Sequence, residues 1–182
     1  MNKKSNTKII QDFIKAAELA VATVQVIPAD SSSLNEALEE ATAEEEYVLL
    51  AEPDDLNPEL FNDYRNNPKV VLEPTVEQLR TIRCGVTDAF GGVVATGSVC
   101  VPVTKGLSSP ASMLTRKHIV VVDAKTIVPR PRDILSGEFL DGKGLTRSFS
   151  FITGSSATAD MGPLVRGVHG PGQLHIIILE SQ

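Results

Sequence analysis

"SFSFITGSSATADMGPLVRGVHGPGQLHIIIL", residues 148–179, contains two strand-like segments and the loop that decides how they are wound together. "SFSFITG" (148–154) is rich in β-favouring residues. "QLHIIIL" (173–179) is close to an unbroken aliphatic run, as expected for a strand buried on both faces of a parallel sheet. Between them, Gly154 permits a turn without steric cost, and Ser155, Ser156 and Thr158 each carry a hydroxyl able to cap a helix. The stretch is therefore predicted as strand, turn, helix and final strand. A glycine-rich loop holding Arg166 and His169 precedes the last strand.

Upstream, "TKIIQDFIKAAELA" (7–20) spaces its apolar residues as a helix, and "VATVQVIP" (21–28) reads as a strand. Ser33 with Glu36 three residues on predicts a capped helix start, and Glu44–Glu46 its solvated end. Further strands are predicted at 47–52 and 69–74. Helices are predicted at 57–67 and after Thr75, where Gln78 completes a capping box. "IRCGVTDAF" (82–90) and "VVATGSVCVPV" (93–103) form a hairpin-like block joined through Gly91-Gly92. "KGLSSPAS" (105–112) is predicted as a loop, 118–129 as extended and 131–135 as a short helix. Strands alternating with helices around such a block predict one domain, residues 1–182, of the α/β class. Its expected architecture is three-layer α/β/α with a mixed, mainly parallel sheet.

Composition narrows the function. The net charge of −6, with no dense basic cluster, argues against nucleic acid as a partner. No apolar run is long enough to span a bilayer, and the start does not resemble a signal peptide, so a cytoplasmic protein without membrane insertion is expected. Cys84 and Cys100 are the only cysteines, and His118, His169 and His175 the only histidines. An iron–sulfur cluster takes about four cysteine ligands and a structural zinc about four Cys or His. No metal or cofactor is therefore expected in this chain.

The candidate binding residues form two groups. The first comprises Gly154, Ser155, Ser156, Thr158, Asp160, Arg166, His169 and Gly170. A helix start after Gly154 would offer free N–H groups to an anion, in the crevice beyond the carboxyl ends of the strands. The plainer reading is a hydroxyl-rich turn, with His169 bracing a loop and Arg166 a surface cation. The second group is Thr87, Asp88, Thr96, Gly97 and Ser98, placed either in the same crevice or in hairpin turns held by their hydroxyls. Spacing reveals no nucleophile–base pair, so no catalytic residue is assigned.

The spacing Gly154-x-Ser156-x-Thr158-Ala159-Asp160, then Gly167–Pro171, then Leu174-His175 resembles the C-terminal signature of the LUD-domain family, typified by lactate utilization protein C. "GVTDAFGGVVATGSV" and "SMLTRKHIVVVDAKTIVP" are similar to its central blocks, so residues 82–180 carry the likeness best. Many relatives have an acid before the Thr-Gly pair, where this chain has Ala95. The resemblance implies a fold similar to ribose-phosphate isomerases and CoA transferases. It also implies a part in oxidising L-lactate to pyruvate, with iron–sulfur clusters carried by separate partner proteins and a small anionic ligand bound here. A homodimer, an independent enzyme acting on a phosphorylated, CoA-linked or folate-type substrate, and a non-catalytic scaffold stay open.

Overall fold

The computed structural model describes residues 3–103, 106–136, 148–160 and 162–181. Helix α1 (Lys3–Leu19) leads into β1 (Thr23–Pro28), then α2 (Ser31–Ala41) and β2 (Val48–Leu50). A 3₁₀ turn (Pro58–Phe61) runs into α3 (Asn62–Arg65), followed by β3 (Val70–Val71) and α4 (Val76–Thr81). Next come β4 (Cys84–Ala89), β5 (Gly91–Val93), β6 (Ser98–Pro102), α5 (Ser108–Met113) and β7 (Lys117–Asp123). The chain continues through β8 (Ile127–Val128), α6 (Pro131–Ile134), β9 (Phe149–Thr153), β10 (Ala157–Thr158), β11 (Val165–Arg166) and β12 (Gln173–Glu180).

Six strands form the central sheet in the order β1-β12-β7-β4-β2-β3, and every pairing in it is parallel. The aliphatic runs explain this arrangement. In β7, Ile119 and Val121 face one core while Val120 and Val122 face the other; in β12, Ile177 and Leu179 oppose Ile176 and Ile178. Such strands require cover on both sides. Leu34, Leu38, Phe61 and Tyr64, from α2, the 3₁₀ turn and α3, cover one face. On the other face lie Ile10, Phe13 and Ala17 of α1 with Val99 and Val101 of β6. The expected α/β architecture is thus present, and its antiparallel pairings are segregated. They lie in a second sheet, β8-β5-β6-β9, and in the β10–β11 ribbon.

Local chemistry moves several predicted boundaries. The cap of α2 is Asp30, whose carboxylate accepts from Ser33 N and Ser33 Oγ, so the helix starts before the predicted Ser33. The capping box at Thr75 and Gln78 is present as read. Gly91-Gly92 belongs to β5 rather than to a turn, and the reversal occurs at Val94–Gly97. Residues 108–112 of the predicted loop are helical, within α5. Pro110 falls in the tolerated first turn, and the hydroxyls of Ser112 and Thr115 bond back to Ser108 O and Ala111 O. Lys105 of that loop lies outside the described residues.

The largest difference falls on the opening stretch. No helix follows Gly154 among the described residues; β10 and β11 pair there as a short antiparallel ribbon. β-branched Thr158 and Val165 are cross-strand partners, and Gly162 and Pro163 lie between the strands, where both disfavour a helix.

Candidate functional site

The loop 154–172 is tied across its base. Ser156 N donates to Pro171 O at 2.8 Å and Gly167 N to Ser156 O at 2.9 Å. Among the described residues no helix starts after Gly154, and the amide of Ser156 is already bonded within the loop, so the expected helix-start anion site is not formed there. The position also differs from expectation. The loop feeds the amino end of β12, where Gln173 and Leu174 pair with Lys117 and His118 of β7. It does not lie beyond the carboxyl ends of the central strands.

Gly154 is required by packing. Its φ is +62°, and a Cβ there would lie 1.7 Å from Ala20 O at the end of α1. Gly97 repeats the device at the β5–β6 turn, with φ +63° and a virtual Cβ 2.3 Å from Ala17 N. Both turns are thus pressed onto the C-terminal end of α1.

A pocket of about 300 Å³ opens beside this packing. Its wall includes Gly154, Ser156, His169 and Gly170 from the signature, together with Thr153 of β9, Ser112 of α5 and His118 of β7. Thr96 and Ser98 stand behind it. Ser98 Oγ donates to Thr96 Oγ1 and pairs with Thr153 Oγ1, both at 2.6 Å, so the hydroxyls form a chain that reaches the pocket through Thr153. Thr87 also acts from behind, holding His118 Nε2 at 2.9 Å.

Six candidates do not converge on the pocket, Gly97 among them, held against α1. Asp88 lies near the carboxyl end of β4, where Oδ2 accepts from the backbone N–H groups of Asp54, Asp55 and Leu56 at 2.7–3.0 Å. It anchors the β2–α3 connection. Thr158 is engaged in the ribbon and Asp160 is exposed on its tip. Ser155 Oγ accepts from Arg166 Nη1 at 2.6 Å, and Arg166 points into a different hollow.

His118 is the residue that sequence reasoning undervalued. The signal was a polar side chain opening the aliphatic run "HIVVVD", which is buried on both faces. The ring is fully buried, and burial pushes its pKa down to about 3, so the imidazole is neutral. Nδ1 has no hydrogen-bond partner among the described residues. An unsatisfied buried polar atom costs about 1–3 kcal/mol, which marks the ring as a polar group that the described residues leave half-satisfied. Cys84 and Cys100 differ in kind: both are buried, and burial pushes each thiol up to about 12. They remain protonated and are unsuited to metal or nucleophilic work. Among the described residues, no group of three or more His, Cys, Asp or Glu is placed to hold a metal ion, and no helix is long and apolar enough to cross a membrane.

The sequence profile of the LUD domain matches residues 2–179, nearly the whole chain. The chain belongs to the LUD-domain family. Among curated proteins, this LUD domain is similar to lactate utilization protein C of Bacillus velezensis, with 27% identity over 111 residues. That match covers 59% of the domain and 46% of the relative, so the chain spans about half the length of the curated protein it matches. Among solved structures, it resembles the crystal structure of a DUF162 family protein from Deinococcus radiodurans. The TM-score is 0.66 at 19% identity, over 98% of this chain and 99% of the other, a likeness of fold. The sequence resemblance and the expected fold class both hold.

Proposed function

We propose that the chain is a lactate utilization protein C-like component of a cytoplasmic L-lactate oxidation system, working with separate iron–sulfur proteins and itself holding a small anionic ligand. The observation that carries this reading is the likeness to lactate utilization protein C within a family match over residues 2–179. Two buried thiols held in their protonated form support placing the clusters on partner chains.

The pocket at the amino ends of β7 and β12 is the ligand site in this reading. Its volume of about 300 Å³ suits a small molecule. Ser112, Thr153 and Ser156 offer hydroxyls, and His118 and His169 offer imidazoles. No Arg or Lys lines it among the described residues, so a carboxylate would be received through hydrogen bonds, with little dependence on salt. Ala95, exposed in the β5–β6 turn where many relatives carry an acid, favours a binding role over acid–base work at that turn.

Two measurements test the reading. L-lactate or pyruvate at about 100 times its dissociation constant should stabilise the protein by about 2.7 kcal/mol in a thermal shift assay. Affinity purification from cells grown on lactate should recover cysteine-rich iron–sulfur proteins. Normal growth on lactate after deletion, in a strain with no second copy, would overturn the assignment.

A further inference from the structure

Beyond the loop 154–172 from the pocket, two adjoining hollows of about 730 and 660 Å³ share Lys117, Arg166, Gly172 and Gln173. Together they form a groove across the amino ends of β1, β12, β7 and β4. Four strand ends in a row span about 14 Å. Leu174 is common to this groove and the smaller pocket.

Two features of the groove are not accounted for by the packing of the fold. First, Arg83, Arg116, Lys117 and Arg166 gather at one end of a chain whose net charge is −6, with Glu45 as the one acid lining that end among the described residues. None of these cations has a carboxylate partner among the described residues. Lys117 Nζ donates to Ala41 O, and Arg166 donates to the Ser155 hydroxyl. Second, His175 Nδ1 pairs with Thr23 Oγ1 at 2.8 Å, while its buried Nε2, on a ring lining the groove, has no partner among the described residues. Val21 on the same wall is exposed; its positive φ of +66° belongs to the close of α1, where Val21 N donates to Glu18 O and Ala22 N to Ala17 O.

We propose that this groove binds an organic phosphate. The phosphate or diphosphate group is held by the guanidinium groups of Arg83, Arg116 and Arg166, and the organic body lies along Val21 and Leu174 within reach of His175 Nε2. Planar guanidiniums match phosphate oxygens in pairs, and three of them exceed what a single carboxylate needs. Arg83 and Arg116 lie at one end of the groove, Val21 and His175 with Glu40 at the other, and Lys117 and Arg166 line both halves. That division matches a phosphorylated small molecule better than the spread charge of an acidic peptide. This site is separate from the small-anion pocket and does not depend on the lactate reading.

Calorimetric titration of the full chain with ADP, CoA, inorganic pyrophosphate and adenosine tests the proposal. ADP or CoA should bind, adenosine should not, and raising NaCl from about 50 to about 300 mM should weaken binding several-fold. The R83Q/R116Q double variant should bind about tenfold or more weakly. Its melting temperature should be unchanged because both side chains are exposed. A K125Q variant, remote from the groove, should bind like the wild type. L-lactate binding should also be unchanged in R83Q/R116Q, which separates this test from that of the pocket. No binding of ADP or CoA by about 1 mM, equal affinity in R83Q/R116Q, or binding of polyglutamate in place of the phosphates would overturn it.

Discussion

The two ends of the central sheet handle polar groups in opposite ways. At the carboxyl end of β4, Asp88 is buried and its Oδ2 is shared by three backbone amides of residues 54–56, so the chain satisfies the carboxylate with its own atoms. At the amino ends of β7 and β12, His118 and His175 each have one nitrogen fixed by a threonine and the other without a partner among the described residues. The two rings lie on opposite faces of the sheet and line different hollows. Buried polar groups that a fold needs are satisfied by that fold. The amino end is therefore where two imidazoles are left half-satisfied among the described residues.

The sharpest way to break this contrast is at the glycines. Gly154→Ala forces a Cβ toward Ala20 O in a left-handed backbone and should cost about 3 kcal/mol or more in urea unfolding. Gly170→Ala, whose Cβ would meet Ser156 Cβ at 3.5 Å, should cost under about 1 kcal/mol while altering the pocket wall. Equal losses would show that Gly154 is not a packing residue.

Asp88→Ala strands three amides and should cost about 2 kcal/mol, with no effect on ligand binding at the amino end. Burial pushes the Asp88 carboxyl above its ordinary value, opposed by hydrogen bonds from Leu56, Asp55 and Asp54. A raised folded pKa means that the unfolded chain releases this proton first. The stability advantage over Asp88→Asn should thus be greatest below about pH 4 and decline as pH rises through the folded value. An advantage that grows with pH would show the amides outweighing burial.

His118→Leu removes a buried atom that lacks a partner but strands the buried Thr87 hydroxyl, so it should cost about 1–2 kcal/mol and weaken L-lactate binding about tenfold. A large loss of stability with intact binding would make His118 structural and erase the difference between the two ends. Smallest of all, Ser155→Ala removes the hydroxyl that accepts from Arg166 and should shift unfolding by under about 0.5 kcal/mol.

Most of the sheet was legible because its aliphatic runs allow few other arrangements. "HIVVVD" and "QLHIIIL" fill both faces of a parallel core, and the capping box of Thr75 and Gln78 appears as read. Hydroxyl-rich turn chemistry was less decisive. Ser155, Ser156 and Thr158 suit a helix cap as well as a ribbon, and the outcome turned on Gly162, Pro163 and the pairing of Thr158 with Val165. The site was half legible. Gly154, Ser156, His169 and Gly170 meet as their motif suggests, whereas His118 joins them only through the register of β7 against β12. The cations of the groove come from three separate segments, at 83, 116–117 and 166, and no local spacing could group them.

Helix α1 shares no residue with the signature, yet its last turns are the anvil against which Gly97 and Gly154 are seated. The shape of the recess is therefore governed partly by a segment that a search for the motif alone would pass over. Redesigning residues 16–20 offers a handle for retuning what the protein accepts while every hallmark residue is left in place.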